Sequence, residues 1–380
     1  MKRHLALIAL IALVASWLGG CGGGDGVGEG GTGSFTSGRI GGFGSVIVNG
    51  IRFDDSGAVV RDDENATRRR EDLRLGMVVA IESTRIDAAS ARAKALSIEI
   101  ISELVGPVES VDVAGGRFIV LGQAVQVTGD TLFDERLAGG VAALRAADTV
   151  EVFGFFDSTR DALVASRIDS RSSETEFKLR APIEAIDVAG RTIRIGGRLV
   201  ATDGLALPPG LAPGATARVS ARFVDGRLVA TRIDDARPRI EDHDDAHIEG
   251  RIESLGNTRS FKVDGLPVDA RNAAFRQGET GIVPGARVEV EGALVGGVLI
   301  AREVKVEDAE SEFELRGEIT DLDSSARTFV VRGVAVGYGP DVRFDDGAEA
   351  QLENGRTVHV EGVASDGGTR LRATRIKLER

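Results

Sequence analysis

The chain has 380 residues, with 47 Lys and Arg against 59 Asp and Glu and a formal net charge of −12. Such an acidic surface repels phosphate backbones and anionic lipid headgroups alike, so nucleic acid is not an expected partner. A single cysteine, Cys21, excludes a disulfide within the chain and any thiolate metal site in its body, and an aromatic content of 4% leaves little to stack on bases or sugar rings.

The N-terminus begins with Lys2 and Arg3, runs apolar from Leu5 to Leu18 and ends in Leu18-Gly19-Gly20-Cys21. A basic start, a short apolar run and small residues before a cut describe a secretory signal peptide over 1–20, too short for a spanning helix. The Leu-Gly-Gly-Cys ending resembles the bacterial lipobox, which implies acylation of Cys21 and makes it the first mature residue. Gly22, where Asp favours inner-membrane retention, points to the outer membrane, facing the periplasm or the exterior. Removal of Lys2 and Arg3 leaves 45 basic against 59 acidic residues, a mature net charge of −14. Residues 21–37 are too glycine-rich to bury apolar area and are expected to form a disordered tether between lipid and body.

Beyond the tether the apolar pattern repeats five times. A pair of apolar residues three apart occurs at Ile40/Phe43, Val108/Val111, Ile183/Ile186, Ile252/Leu255 and Ile319/Leu322, with first members 68, 75, 69 and 67 residues apart. Gly or Ala stands two residues before each: Gly38, Gly106, Ala181, Gly250 and Gly317. Two alternating runs follow, joined by a two-residue break ending in glycine: Asn49-Gly50, Leu121-Gly122, Gly196-Gly197, Asp264-Gly265 and Arg332-Gly333. These read as tight hairpins, in which Asn, Asp and Gly tolerate positive φ and Leu121 and Arg332 fit less well.

After a variable segment, each unit resumes at Gly76, Ala147, Gly214, Gly285 or Gly355 with an apolar-x-apolar strand. It closes on Ala-x-x-Ile or Ala-x-x-Val, as in Ala165-Ser-Arg-Ile168 and Ala301-Arg-Glu-Val304. The predicted fold is all-β: five tandem, small five-stranded barrels over 38–101, 102–170, 171–240, 241–307 and 308–380. A first strand serving both sides of such a barrel must bend, and one extra residue at a β-bulge bends it while shifting the side-chain phase. The three-apart pair is that shift, and a long bent first strand resembles the OB-fold. Glu176-Phe-Lys-Leu-Arg180 and Glu312-Phe-Glu-Leu-Arg316 add a two-unit repeat, and the short connections favour a stiff row of barrels.

The run Gly41-Gly-Phe-Gly-Ser-Val-Ile-Val-Asn-Gly-Ile-Arg-Phe53, with Gly106-Pro-Val-Glu-Ser-Val-Asp112, Val120-Leu-Gly-Gln123 and the Ala-Thr-Arg-Ile endings, resembles bacterial lipoproteins built from tandem copies of domain of unknown function 5666. The likeness spans nearly the whole mature chain and is clearest in the first two units. It implies a secreted β-domain repeat of a bacterial envelope, and it implies no activity, ligand or catalytic residue.

For chemistry, no catalytic residue is assigned. His359, between Val358 and Val360, is expected on the solvated face of its strand. Arg68-Arg-Arg70 is expected to face water beside neighbouring acids, and the pairs Asp54/Asp55, Asp62/Asp63 and Asp345/Asp346 are expected to serve turns. The expected function is that of a non-enzymatic, lipid-anchored envelope protein recognising another envelope protein or polymer, with no cofactor. The alternative is a divalent-metal or small-ligand-binding protein using Glu241-Asp-His-Asp-Asp-Ala-His247. There His243, Asp244, Asp245 and His247 offer imidazole and carboxylate donors, although the strand register of Ala246 and Ile248 turns His247 outward.

Overall fold

The computed structural model describes residues 33–172, 174–235, 240–307 and 311–379. The expected signal peptide, Cys21 and residues 21–32 of the expected tether lie outside the described residues. Strand begins earlier than composition suggested: Gly33–Phe43 is one strand in which Ser34, Phe35 and Thr36 are buried. The reason is tertiary. This segment is paired on both sides, to Val78–Thr84 of its own barrel and to the first strand of the fourth barrel.

Among the described residues the regular structure is strand, interrupted by short 3₁₀ turns. Each of the five units closes a barrel in the same order. In the first, Gly33–Phe43 pairs antiparallel with Val46–Val48, which pairs with Ile51–Asp54. Ile51–Asp54 runs parallel to Arg92–Ile101, Arg92–Ile101 pairs antiparallel with Val78–Thr84, and Val78–Thr84 returns to Gly33–Phe43. The third strand lying parallel to the fifth is the step that shuts the cylinder. It recurs as Gln123–Gln126 on Ala162–Arg171, Arg198–Ala201 on Arg227–Asp235, Leu266–Asp269 on Val298–Val306 and Val334–Asp345 on Arg370–Leu378.

The phase slip is a bulge in every unit. Ile40 faces Val48 while Gly42 faces Ile47, and Val108 faces Val120 while Ser110 faces Ile119. The third and fourth barrels slip at the same place, after Ile183 and Ile252, and the fifth slips one or two residues later, between Thr320 and Asp323. The residue before each bulge is pinned by a repeated pair of backbone bonds. Ile40, Val108, Ile183, Ile252 and Ile319 each accept, through the carbonyl, the N–H of Gly76, Ala147, Gly214, Gly285 and Gly355 at 2.8–2.9 Å. Those five donors all have positive φ, from 72° at Ala147 to 86° at Gly214, which is why four are glycine.

All five hairpins have positive φ at both central residues, Leu121 (48°) and Arg332 (52°) included. Leu121 tolerates the left-handed conformation because its side chain is buried in the barrel core, at 1% exposure.

A second bulge, not anticipated, recurs in the fifth strand. Across the fourth–fifth pairing one residue of the fifth strand is skipped in each unit: Leu96, Ser166, Thr231, Arg302 and Thr374. The fourth-strand residue beside the skip is small each time, Ser83, Gly154, Ala221, Gly292 or Gly362. A Cβ on Gly292 would stand 2.2 Å from the Ile300 carbonyl oxygen.

The barrels are not strung in a row. The first strand of the first barrel pairs in parallel with that of the fourth, Ser34 to Ser37 against Asp245 to Ile248, and its far end pairs with that of the fifth, Gly42 and Phe43 against Glu314 and Leu315. The second and third barrels join antiparallel through Leu104 and Val105 against Leu179 and Lys178. The core of the first barrel is continuous with that of the fifth, and the core of the second with that of the third. Short connectors permit a row, but they permit a cluster too, and outward-facing backbone on a bent leading strand makes the cluster.

Candidate functional site

The four candidate ligands of the 241–247 stretch do not converge. His243 opens the first strand of the fourth barrel, His243–Asn257, and a register shift separates it from Ala246. That shift turns the His243 ring inward, 8% exposed, with its centroid 5.8 Å from the Phe35 ring and Nε2 3.3 Å from the Glu82 carboxylate. Burial pushes the Glu82 carboxyl up, with His243 working against it. Asp244 is exposed, and its carbonyl accepts Arg302 Nη1 at 2.9 Å. Asp245 and His247 lie together on the outward side. The Asp245 carboxylate accepts Ser34 Oγ at 2.8 Å and Arg302 Nη2 at 2.6 Å, with His247 Nε2 at 3.6 Å. The His247 contact, followed by the Ser34 and Arg302 donors, holds this carboxyl well below the usual range despite partial burial.

His247 instead meets two fourth-strand acids that the sequence reading passed over. Ligand atoms of His247, Glu289 and Glu291 lie within 4.8 Å of one another. Cross-strand register produces this, since His247 stands opposite Glu291 and Glu249 opposite Glu289. The alternation Val288-Glu-Val-Glu291 marks both acids as outward, so aligning the first- and fourth-strand patterns could have found them. Burial, and then the neighbouring Glu307, push the Glu289 carboxyl up to about 8, against the pull of Lys305. Beside this trio a cavity of about 570 Å³ opens between the first and fourth barrels, lined by Ser34, Asn49, Arg85, Asp245, His247 and Arg302 among others.

The most deeply buried charges sit where barrels meet. Asp63 of the first barrel receives Lys178 Nζ at 2.7 Å and lies 3.3 Å from Arg218 Nε, both from the third. Arg180 of the third barrel bridges Glu103 of the second at 2.6 Å and Asp264 of the fourth at 3.3 Å. Burial works to lower the Arg180 pKa, but Glu103 and Asp264 together raise it, so the guanidinium stays charged. Burial pushes Glu103 up to about 7, and it does the same to Glu253, which also feels Asp264. Arg39 and Arg287 lie between Glu249 and Asp130, at 3.3–3.9 Å. Groups this deeply buried are held by their partners across the junctions, and removing one partner leaves the other as an uncompensated buried charge.

The remaining singled-out residues are surface features, with one exception. His359 Nε2 lies 3.1 Å from Glu314, which also receives Arg52 at 2.5 Å; the His359 contact first, then Arg52, hold the Glu314 carboxyl at about 2. Arg68, Arg69 and Arg70 are exposed beside Asp62, Asp72 and Asp55. Asp54 and Asp62 serve turns, accepting the backbone N–H of Ser56 and of Ala66. Asp63 is the exception and serves a barrel junction.

A family model described as Domain of unknown function (DUF5666) matches residues 105–169, 180–234, 249–305 and 316–377. The matched stretches fall on the second to fifth barrels, so the later units, which lack the Gly-Phe-Gly opening, carry the family pattern while the first barrel lies outside it. No curated protein matches the chain. Among solved structures, drosophila Unr CSD456 is similar at 14% identity and a TM-score of 0.13, covering 55% of this chain and 98% of its own.

Proposed function

The chain belongs to the DUF5666 family, and from that premise we propose that it is a non-enzymatic, lipid-anchored protein of the bacterial cell envelope whose five barrels act as one recognition scaffold. The observation that carries the reading is the use of the first barrel's leading strand as a common seam, paired at one end with the fourth barrel and at the other with the fifth. Pairing of this kind supports a rigid body that displays many loops in fixed relation, the arrangement in which loops recognise a partner. The use of buried Asp63, Lys178, Glu103, Arg180, Arg39 and Glu249 as junction ion pairs also supports a structural role for them.

The anchor rests on the Leu18-Gly-Gly-Cys21 ending and Gly22. Acyl chains on Cys21 would place the body at a membrane surface without a spanning segment. The partner is another envelope protein or polymer.

The test is expression of the full chain in a Gram-negative host grown with labelled palmitate, followed by membrane fractionation. Label in the outer-membrane fraction that disappears in Cys21→Ser is the expected result. An unlabelled, soluble wild-type protein overturns the anchor. Turnover by the purified protein on a broad panel of hydrolase substrates overturns the non-enzymatic reading.

A further inference from the structure

The net negative charge is unevenly shared. Residues 171–240 hold twelve Lys and Arg against eight Asp and Glu, so the third barrel is a basic unit in a chain whose net charge is −12. Several of its arginines are already paired, Arg198 with Glu109, Arg227 with Asp203 and Arg232 with Asp234. Arg180 and Arg218 are committed to the barrel junctions, whereas Arg191, Arg194 and Arg222 are exposed and make no ion pair among the described residues.

The same barrel displays aliphatic side chains to solvent. Val188 is 81% exposed, Leu199 53% and Val224 40%, with Leu205 and Phe223 close behind. Five large exposed hydrophobics in one of five barrels is a concentration, since among the described residues the other barrels each carry three or fewer. They are contiguous with the free arginines. Leu199 stands directly opposite Arg194 across the second–third strand ladder. Ala201 meets Val229, which brings the turn between Val224 and Arg227 alongside. Arg227 reaches Asp203 at 3.6 Å, and Leu205, Val188 and Arg191 rim one cavity of about 390 Å³. Of the acids of this face, Asp203 pairs with Arg227 and Asp187 accepts the Gly190 N–H, while exposed Asp225 makes no ion pair among the described residues.

The reason for the open rim is local sequence. In the second barrel the segment after the third strand folds into 3₁₀ turns that bury Leu137 and Leu144. In the third, Leu205-Ala-Leu-Pro-Pro-Gly210 makes neither strand nor 3₁₀ turn, and Leu205 stays exposed.

We propose that this face of the third barrel docks on an anionic lipid surface, its free arginines at the headgroup phosphates and Val188, Leu199 and Val224 at the acyl boundary. Charge complementarity carries the arginines, and exposed aliphatic tips on turns carry the apolar part. The acidic barrels do not cancel the attraction, because at physiological salt a charge acts over only about 8 Å. Nucleic acid is the less suited anion, since among the described residues Phe223 is the one aromatic exposed on this face and stacking needs several. The geometry stands without the acyl anchor, although its biological setting rests on the envelope reading.

The experiment uses the unacylated chain from Gly22 onward, with sedimentation against vesicles of phosphatidylcholine alone or mixed with phosphatidylglycerol. Binding to the anionic vesicles, weakened by salt and at least tenfold weaker in R191Q/R194Q/R222Q and in V188S/L199S, is expected, while R68Q/R69Q/R70Q binds as wild type. No anionic preference overturns the proposal. An equal loss in the Arg68–Arg70 variant, or tighter binding to duplex DNA than to the vesicles, does so too. Vesicle binding lost with palmitate labelling intact removes the docking face and leaves the anchor. The reverse outcome removes the anchor and leaves the face.

Discussion

At the scale of single residues, the most informative relation links the glycine two positions before each bulge to the first residue of the hairpin. A Cβ on Gly106 would lie 2.7 Å from Leu121 Cγ, and one on Gly38 2.4 Å from Asn49 Oδ1. The third barrel exchanges the two sizes: Ala181 stands in the strand and Gly196 in the turn, and a Cβ on Gly196 would come 3.4 Å from that of Ala181. One of the two positions carries the side chain and the other leaves room. Gly106→Ala should therefore cost about 1–3 kcal/mol of stability by overpacking. In a urea-unfolding cycle, G106A/L121G should be less destabilised than the sum of the single changes. Strict additivity would show that the contact is not what selects glycine. Asp63 makes the second residue-scale case. Asp63→Ala leaves Lys178 without its partner and Arg218 without its carboxylate, and should cost about 3–5 kcal/mol. Asp62→Ala, losing a turn acceptor, should cost about 1 kcal/mol. Equal melting temperatures for the two variants would refute the junction role.

At the scale of the element, the extra residue in the first strand decides which side chains reach the core. Ile40 and Val46 are fully buried on either side of the bulge and its hairpin. Deleting Glu109, the residue skipped between Val108 and Ser110, should leave Val108 and Val111 on one face of a straight strand and remove the bend by which that strand serves both sides of the barrel. The expected loss of barrel closure is seen as early amide exchange throughout 104–126, whereas deleting exposed Gly210 leaves exchange there unchanged. Unaltered exchange in the Glu109 deletion would remove the bulge from the account.

Elements of this kind were legible because each writes a periodicity into its own segment. The first bulge appears as apolar residues three apart, and the hairpins as a break ending in glycine. The second bulge is written just as plainly, since Ala95/Ile98 and Ala301/Val304 are also three apart, though their Ala-x-x-Ile pattern reads equally as an ordinary closing strand. What no periodicity records is the pairing between barrels. Ser34 meets Asp245 through outward backbone that looks like any solvated strand, and Asp63 differs from Asp62 only by where the third barrel comes to rest. The divergence of the candidate ligands at 243–247 has a related cause. A register shift after His243 placed two histidines four apart on opposite sides of one strand.

At the scale of the whole molecule, the junctions make stability depend on pH. Burial holds the carboxyls of Glu103 and Glu253 at about 7, above the roughly 4.3 of an unfolded chain. Between those values the folded protein keeps protons that the unfolded chain has released. Stability from these groups is therefore present at low pH and lost as pH rises through 7. The depressed carboxyls, such as Glu314 at about 2, act only in stronger acid and leave this window clear. Urea midpoints should fall between about pH 5.5 and pH 8, and Glu253→Gln should flatten the fall; a midpoint that rises over the same range contradicts the junction chemistry.

The central claim is that the five barrels are one body, the first, fourth and fifth sewn along the first barrel's leading strand, the second and third sewn to each other, and the two groups locked by the buried ion pairs of Asp63 and Arg180. Small-angle X-ray scattering of the chain from Gly33 onward tests it most directly. A single compact unit of this length has a radius of gyration of about 20 Å, and five barrels in a row would give roughly 35 Å. A value near the first, unchanged on dilution, is the result expected. A value near the second, or one that varies with salt as freely jointed modules do, would contradict the account.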